Sequence, residues 1–204
     1  MRYAYAMLGI AFLILIGVFV VLGSRSTSQT PNNQEFSDQQ LANNNDTMQL
    51  TSTVFAHEGL IPAKYTCDAS PPDGGTNPPL SITGVPEGTQ SLVLIMDDPD
   101  VPKDRRPDGM FDHWVRFNIP ADTTEIVEGV EPVGSAGSGT SGQKKYVGPC
   151  PPDREHRYFF KLYALDTMLD LPEGATKKEV EVALHGHVLE ETQLMGRYNR
   201  PQNQ

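Results

Sequence analysis

Apolar residues in this 204-residue chain come in short runs broken by proline, glycine and acidic side chains. Positions 91–95, SLVLI, form a compact apolar run that predicts a buried β-strand. The run ends in Asp97, Asp98, Pro99, Asp100, Val101 and Pro102. Proline has no N–H for a ladder, so pairing stops there and leaves carboxylates in a stiffened turn at the lip of the strand. Alternation resumes over 111–119, with His113, Val115, Phe117 and Ile119 on one face and Trp114, Arg116 and Asn118 on the other. A second alternating run, 156–166, sets His156, Tyr158, Phe160 and Leu162 against Arg157, Phe159, Lys161 and Tyr163. Shorter extended pieces are predicted at 50–55, 61–67 and 80–85, with a proline-rich loop at 68–79 and a turn at 86–89. Residues 176–195 predict the one amphipathic helix, with Val180, Ala183, Leu184, Val188, Leu194 and Met195 as its apolar stripe. Many short strands punctuated by glycine and proline, plus that helix, give a mainly β chain: a sandwich or barrel with a C-terminal helix.

The N-terminal part follows a different pattern. Residues 3–23 carry no charge and as a helix would span about 31 Å, close to the ~30 Å hydrocarbon core of a bilayer. That length favours a single-pass anchor over a cleaved signal peptide, whose apolar region is usually about 7–15 residues. We therefore divide the chain into an anchor or uncleaved signal segment (1–23), a flexible polar linker (24–47) and a folded domain (48–204). The linker is rich in Ser, Thr, Asn and Gln and has too little apolar surface to order itself. The expected topology puts the N-terminus inside and the domain on the extracytoplasmic side.

Charge and cysteine content narrow the function. The chain has a formal net charge of -10, and residues 48–204 hold 14 basic against 23 acidic side chains. That balance excludes nucleic acid as a partner, which requires a basic footprint. Cys67 and Cys150 are too few for a disulfide scaffold and lack zinc spacing. As a pair they are open to two readings: separate buried thiols, or one bridge outside the cytoplasm if their Cα atoms come within about 7 Å. The stretch 129–148 is a long glycine-rich segment, expected to be a loop without secondary structure of its own, and it has no phosphate-binding P-loop motif. His185 and His187, two apart on a helix, do not face each other and are expected in solvent.

Taken together, Asp98-Pro99-Asp100-x-Pro102, His113-Trp114, Gly148-Pro149-Cys150-Pro151-Pro152 and His156-Arg157-Tyr158 resemble the phosphatidylethanolamine-binding protein family. Lys64-Tyr65-Thr66-Cys67-Asp68, Pro78-Pro79-Leu80 and Tyr163-Ala164-Leu165-Asp166 are similar to its bacterial Raf-kinase-inhibitor-like branch. The likeness runs over about 48–200. It implies a sandwich of antiparallel sheets with a C-terminal helix, and a small pocket for phosphate-type anions or zwitterionic headgroups. By motif, that pocket is implied to use Asp98, Asp100, Pro102, His113, His156 and Tyr158, with Gly148, Pro149, Cys150, Pro151 and Pro152 as its wall. A charged loop at 103–109 departs from the family pattern and bears on access to the pocket.

An acidic rim repels anions, and two devices overcome that. A zwitterion can place its ammonium on Asp98 or Asp100 and its phosphate on His113, His156 and Tyr158. Alternatively, close carboxylates share a proton and donate it to the anion. Imidazoles near pKa ~6.5 are expected to strengthen anion binding as pH falls from about 8 to 6. The domain is expected to bind without turnover and without cofactor or metal, since no nucleophile elbow or metal-ligand spacing occurs. The competing expectations are a metal-dependent hydrolase built on the Asp/His cluster, and a kinase or protease inhibitor acting on a protein partner through the pocket rim.

Overall fold

The computed structural model describes residues 47–70 and 75–201. The expected anchor, 1–23, and the linker up to residue 46 lie outside the described residues. Among the described residues no helix is long and apolar enough to cross a membrane.

The described elements, in order, are β1 (Gln49–Thr51), β2 (Gly59–Leu60), β3 (Leu80–Thr83), β4 (Ser91–Asp98), β5 (Phe111–Pro120), β6 (Glu125–Ile126), β7 (Ser135–Ala136), β8 (His156–Leu165), α1 (Lys177–Leu184) and β9 (Val188–Tyr198). They make a three-stranded sheet, β1-β3-β6, and a six-stranded sheet, β2-β9-β8-β4-β5-β7. Pairing is antiparallel except between β2 and β9.

The apolar run of β4 has its cause in this layering. Leu92, Leu94 and Met96 face the sandwich core shared with β1, β3 and β8, while Val93 and Ile95 face a second core beneath α1. A strand covered on both faces has no polar side to show, so strict alternation is lost. Each such side chain, fully buried, contributes about 1.5–3 kcal/mol. In β8, where the outer face is only partly covered, the alternation read from the sequence holds: His156, Tyr158, Phe160, Leu162 and Ala164 are all buried.

Three expectations are corrected. The helix read over 176–195 is α1 followed by β9. A reciprocal cap between Thr176 and Glu179 starts α1, and Gly186, at φ +86°, turns the chain back towards β8. The long ladder of β8 needs a partner for its backbone groups, and β9 supplies it along its whole length. Leu194 and Tyr198 then enter the sandwich core at strand rather than helical spacing. The second correction is the face assignment in β5. Two register shifts against β4, one beside His113 and one beside Asn118, insert extra residues. Asn118 adopts φ +55°. Trp114 and Ile119 consequently share the sandwich core, while Val115 and Phe117 pack under α1. Third, the glycine-rich stretch contains β7, which pairs with Arg116 and Phe117. Gly137 lies so close to Val115 and Ala175 that a Cβ there would sit 2.4 Å from a Val115 methyl carbon.

Cys67 and Cys150 form a disulfide with Cα atoms 5.4 Å apart. Of the two sequence readings, separate thiols and a bridge, the structure has the bridge. It ties the loop after β2 to the segment leading into β8, and Cys67 N–H also donates to the Pro149 carbonyl at 3.0 Å.

Candidate functional site

Strand β4 ends in two adjacent carboxylates that leave it on opposite faces. Asp98 continues the sandwich side, where the start of β5, the loop after β4 and the 147–152 segment line a cavity of about 290 Å³. Its walls are Asp98, Phe111, His113, Val147, Gly148, Cys150 and Pro152, and the loop after β4 contributes Val101, Arg105 and Arg106.

Asp98 is pinned from two sides. Its Oδ1 accepts the Asp100 N–H at 2.8 Å, and its Oδ2 lies 2.7 Å from His156 Nδ1. Burial pushes its carboxyl above the usual carboxylate range, and the His156 contact works against that rise. His156 is fully buried, and its Nε2 lies 2.8 Å from Asp153 Oδ1. Both imidazole nitrogens are thus engaged by carboxylates. His156 therefore supports Asp98 from behind and presents no nitrogen to the cavity.

His113 reaches the cavity because of the irregularity in β5. Its extra residue turns the imidazole away from Val115 and onto the sandwich side, 4.7 Å from the Phe111 ring and 5.3 Å from the Tyr158 ring. Nδ1–H donates to the Val147 carbonyl at 2.7 Å, which leaves Nε2 as the acceptor nitrogen. Burial lowers the His113 pKa to about 4. His113 is accordingly neutral from pH 8 to 6 and gains no charge there, contrary to the imidazole argument made from sequence.

Tyr158 lies behind this ring. It is fully buried, its hydroxyl has no hydrogen-bond partner among the described residues, and burial pushes its pKa up. Asp100 turns outwards. Arg157 holds it with Nε at 2.8 Å, Nη2 at 2.7 Å and its backbone N–H at 3.0 Å. These bonds keep the Asp100 carboxyl below the usual range.

Of the residues singled out from sequence, Asp98, His113, Gly148, Cys150 and Pro152 line the cavity. His156 and Tyr158 stand behind it, Asp100 faces Arg157, Pro149 anchors the loop to Cys67, and Pro102 opens the turn that carries Arg105 and Arg106. Sequence reasoning missed Val101, Arg105, Arg106, Phe111 and Val147 as wall residues. Two adjacent arginines between the carboxylate turn and the histidine of an acidic domain were the available signal.

The opposite face of the same strand end is closed. Asp97 Oδ2 accepts from Lys161 Nζ at 2.7 Å and from Lys177 Nζ at 2.6 Å. Lys177, on α1, also lies 3.4 Å from Asp112 and 3.7 Å from Glu181. Burial is the largest influence and opposes its charge, but the carboxylates of Asp97, Asp112 and Glu181 together outweigh it and hold the Lys177 pKa above its ordinary value. Among the described residues, no three or more His, Cys, Asp or Glu side chains are arranged to hold a metal ion.

Comparison with known proteins places this geometry in context. The family model described as phosphatidylethanolamine-binding protein matches residues 51–199. A UPF0098 protein of Chlamydia pneumoniae is 45% identical over 153 residues, covering 75% of this chain and 99% of its own. Among solved structures, a phosphatidylethanolamine-binding protein homolog from Chlamydia trachomatis is 42% identical, with TM-score 0.73 over 76% of this chain and 99% of that one. YbcL of E. coli, described as a member of the mammalian PEBP family, is 26% identical, with TM-score 0.67 over the same shares. Both solved chains are thus almost wholly accounted for by the domain seen here.

Proposed function

Since the chain belongs to the phosphatidylethanolamine-binding protein family, we propose that residues 48–204 are a non-enzymatic binding domain whose pocket takes a small phosphate-type anion or zwitterionic headgroup. One observation carries the reading: a single small cavity presents both signs of charge, with Asp98 in its wall and Arg105 and Arg106 at its mouth. A zwitterion such as phosphoethanolamine suits that arrangement, with its ammonium towards the carboxylate and its phosphate towards the guanidinium side. His113 adds a neutral acceptor nitrogen, and the unpartnered Tyr158 hydroxyl adds a polar group behind it.

The enzyme reading is less well supported. The Asp/His cluster that a hydrolase would use is bonded to itself, since His156 spends both nitrogens on Asp98 and Asp153. Affinity is modest in this proposal, because a small polar ligand buries little apolar area and its charges must be desolvated.

The proposal extends to location: residues 3–23 anchor the chain in a membrane and the domain lies on the extracytoplasmic side. The Cys67–Cys150 bridge supports an oxidising compartment, where such bonds persist.

Calorimetric titration of phosphoethanolamine and inorganic phosphate into residues 48–204 tests the binding reading. The expected result is one site per domain and no chemical change in the recovered ligand. Absence of heat with both ligands, or release of phosphate from phosphoethanolamine, overturns it.

A further inference from the structure

We propose that Arg105 is the residue that reads the anion in this pocket, its guanidinium taking the phosphate group while Arg106 serves as the tie that holds the loop. The inference rests on the binding function proposed above and assigns its charge recognition to one side chain.

The domain carries 23 acidic against 14 basic side chains, so a phosphate needs a local cation to overcome the surrounding field. The nearby cations can be sorted by what they already hold. His156 is buried between Asp98 and Asp153. Arg157 forks onto Asp100. Arg154 binds Asp153 through Nη1 at 2.6 Å and the Asp100 carbonyl through Nη2 at 3.2 Å. His113 is neutral near pH 7, since burial lowers its pKa to about 4. Arg106 lines the cavity, but its Nε donates to the Met110 carbonyl at 2.6 Å and its Nη2 to Asp108 at 3.0 Å. Arg105 also lines the cavity, and its guanidinium has no hydrogen bond or ion pair among the described residues.

The backbone that carries Arg105 is held by the loop's own hydrogen bonds. The Arg105 and Arg106 N–H groups both donate to the Pro102 carbonyl, at 2.9 and 3.0 Å. Gly109 N–H returns to the Arg106 carbonyl at 2.9 Å, with Gly109 at φ +68°, a conformation that glycine adopts without strain. With Arg106 tied at both ends of its guanidinium, the turn is fixed and its neighbour is presented at the mouth. A free guanidinium offers two parallel N–H groups to two phosphate oxygens, a fork that an ammonium lacks. The charged loop at 103–109 is thus the source of the pocket's positive end.

The ligand class is a phosphate ester with a short cationic tail. It has two sources, a free phosphomonoester or the headgroup of a bilayer lipid.

Calorimetry on residues 48–204, the unit to which the solved relatives correspond, compares wild type with Arg105→Ala, Arg105→Lys and Lys103→Ala. Phosphoethanolamine and inorganic phosphate are the probes. Arg105→Ala should weaken both at least about tenfold with an unchanged melting temperature, because the side chain it removes has no partner among the described residues. Arg105→Lys should recover only part of the loss. Lys103→Ala removes an exposed charge from the same loop and should stay within about twofold of wild type. Sedimentation with phosphatidylethanolamine vesicles identifies the source: Arg105-dependent binding means the headgroup, and binding of the soluble probes alone means a free ester. Wild-type affinity in Arg105→Ala, or an equal loss in Lys103→Ala, overturns the assignment while leaving the pocket reading intact. A wild-type domain that binds neither soluble probe overturns both.

Discussion

Asp97 and Asp98 are chemically identical, adjacent in sequence and almost equally buried, yet they serve opposite ends. Asp97 leaves β4 towards α1 and meets two ammonium groups. Asp98 leaves towards the sandwich side, meets one imidazole, and borders an open pocket. The residue type therefore does not make the site. What decides is whether neighbouring side chains use up the carboxylate's charge and fill the space in front of it. On the Asp97 side two ammonium groups share Oδ2, which makes an interlayer clamp even though Oδ1 has no hydrogen-bond partner among the described residues; on the Asp98 side both oxygens are bonded, by one imidazole and one backbone N–H, and the carboxylate still borders a cavity.

The largest expected effect is on the closed side. Asp97→Ala leaves Lys177, buried on the inner side of α1, without its main partner, and removing one member of a buried ion pair costs about 3–5 kcal/mol. Urea unfolding should show that loss, while the folded fraction binds ligand as wild type does. A loss below about 1 kcal/mol would mean that the lysines are not a clamp.

Next comes the wall of the open side. The Cys67–Cys150 bridge spans 83 positions, and removing a native bridge of this kind typically costs about 2–4 kcal/mol. Because Cys150 lines the cavity, replacing both cysteines with alanine should also weaken ligand binding, and hydrogen exchange in α1 should change less than in residues 147–152. Equal loosening of both sides would dissolve the distinction.

A smaller and more graded effect comes from acid. His113 has a folded-state pKa of about 4 against about 6.5 unfolded, so the unfolded chain binds the extra proton first. Stability should therefore fall as pH drops from about 6.5 to 4, by at most about 3 kcal/mol from this group, and be unaffected by it above pH 7. An NMR titration of the His113 ring that finds a midpoint near 6.5 would contradict the buried, neutral assignment.

Much of this was legible before any coordinates. The central strand, the carboxylate turn, and the histidine opening each flanking strand follow from apolar runs, proline and alternation, and Asp98 and His113 do meet at one cavity. The rest depended on pairing partners remote in sequence. Residues 188–198 read as helix because Val188, Leu194 and Met195 fit a helical stripe; the vacant edge of β8 made them a strand. The faces of β5 were misread because irregularities arise from the register of two strands, not from one strand's composition. His156 and Asp100 carry motif signals as strong as those of Asp98, and only three-dimensional partners show that both are spent. Arg105 was passed over for the converse reason, since a charged loop reads as solvated surface until the cavity beneath it is seen.

The most direct measurement is calorimetry at pH 7.5 with phosphoethanolamine and inorganic phosphate, run on Asp98→Asn and Asp97→Asn side by side. The account predicts that Asp98→Asn weakens phosphoethanolamine more than phosphate, because the carboxylate in the cavity wall holds the ammonium, while Asp97→Asn, per folded molecule, binds both as wild type does. If the two variants bind both ligands alike, the open face of β4 is no more a site than the closed one.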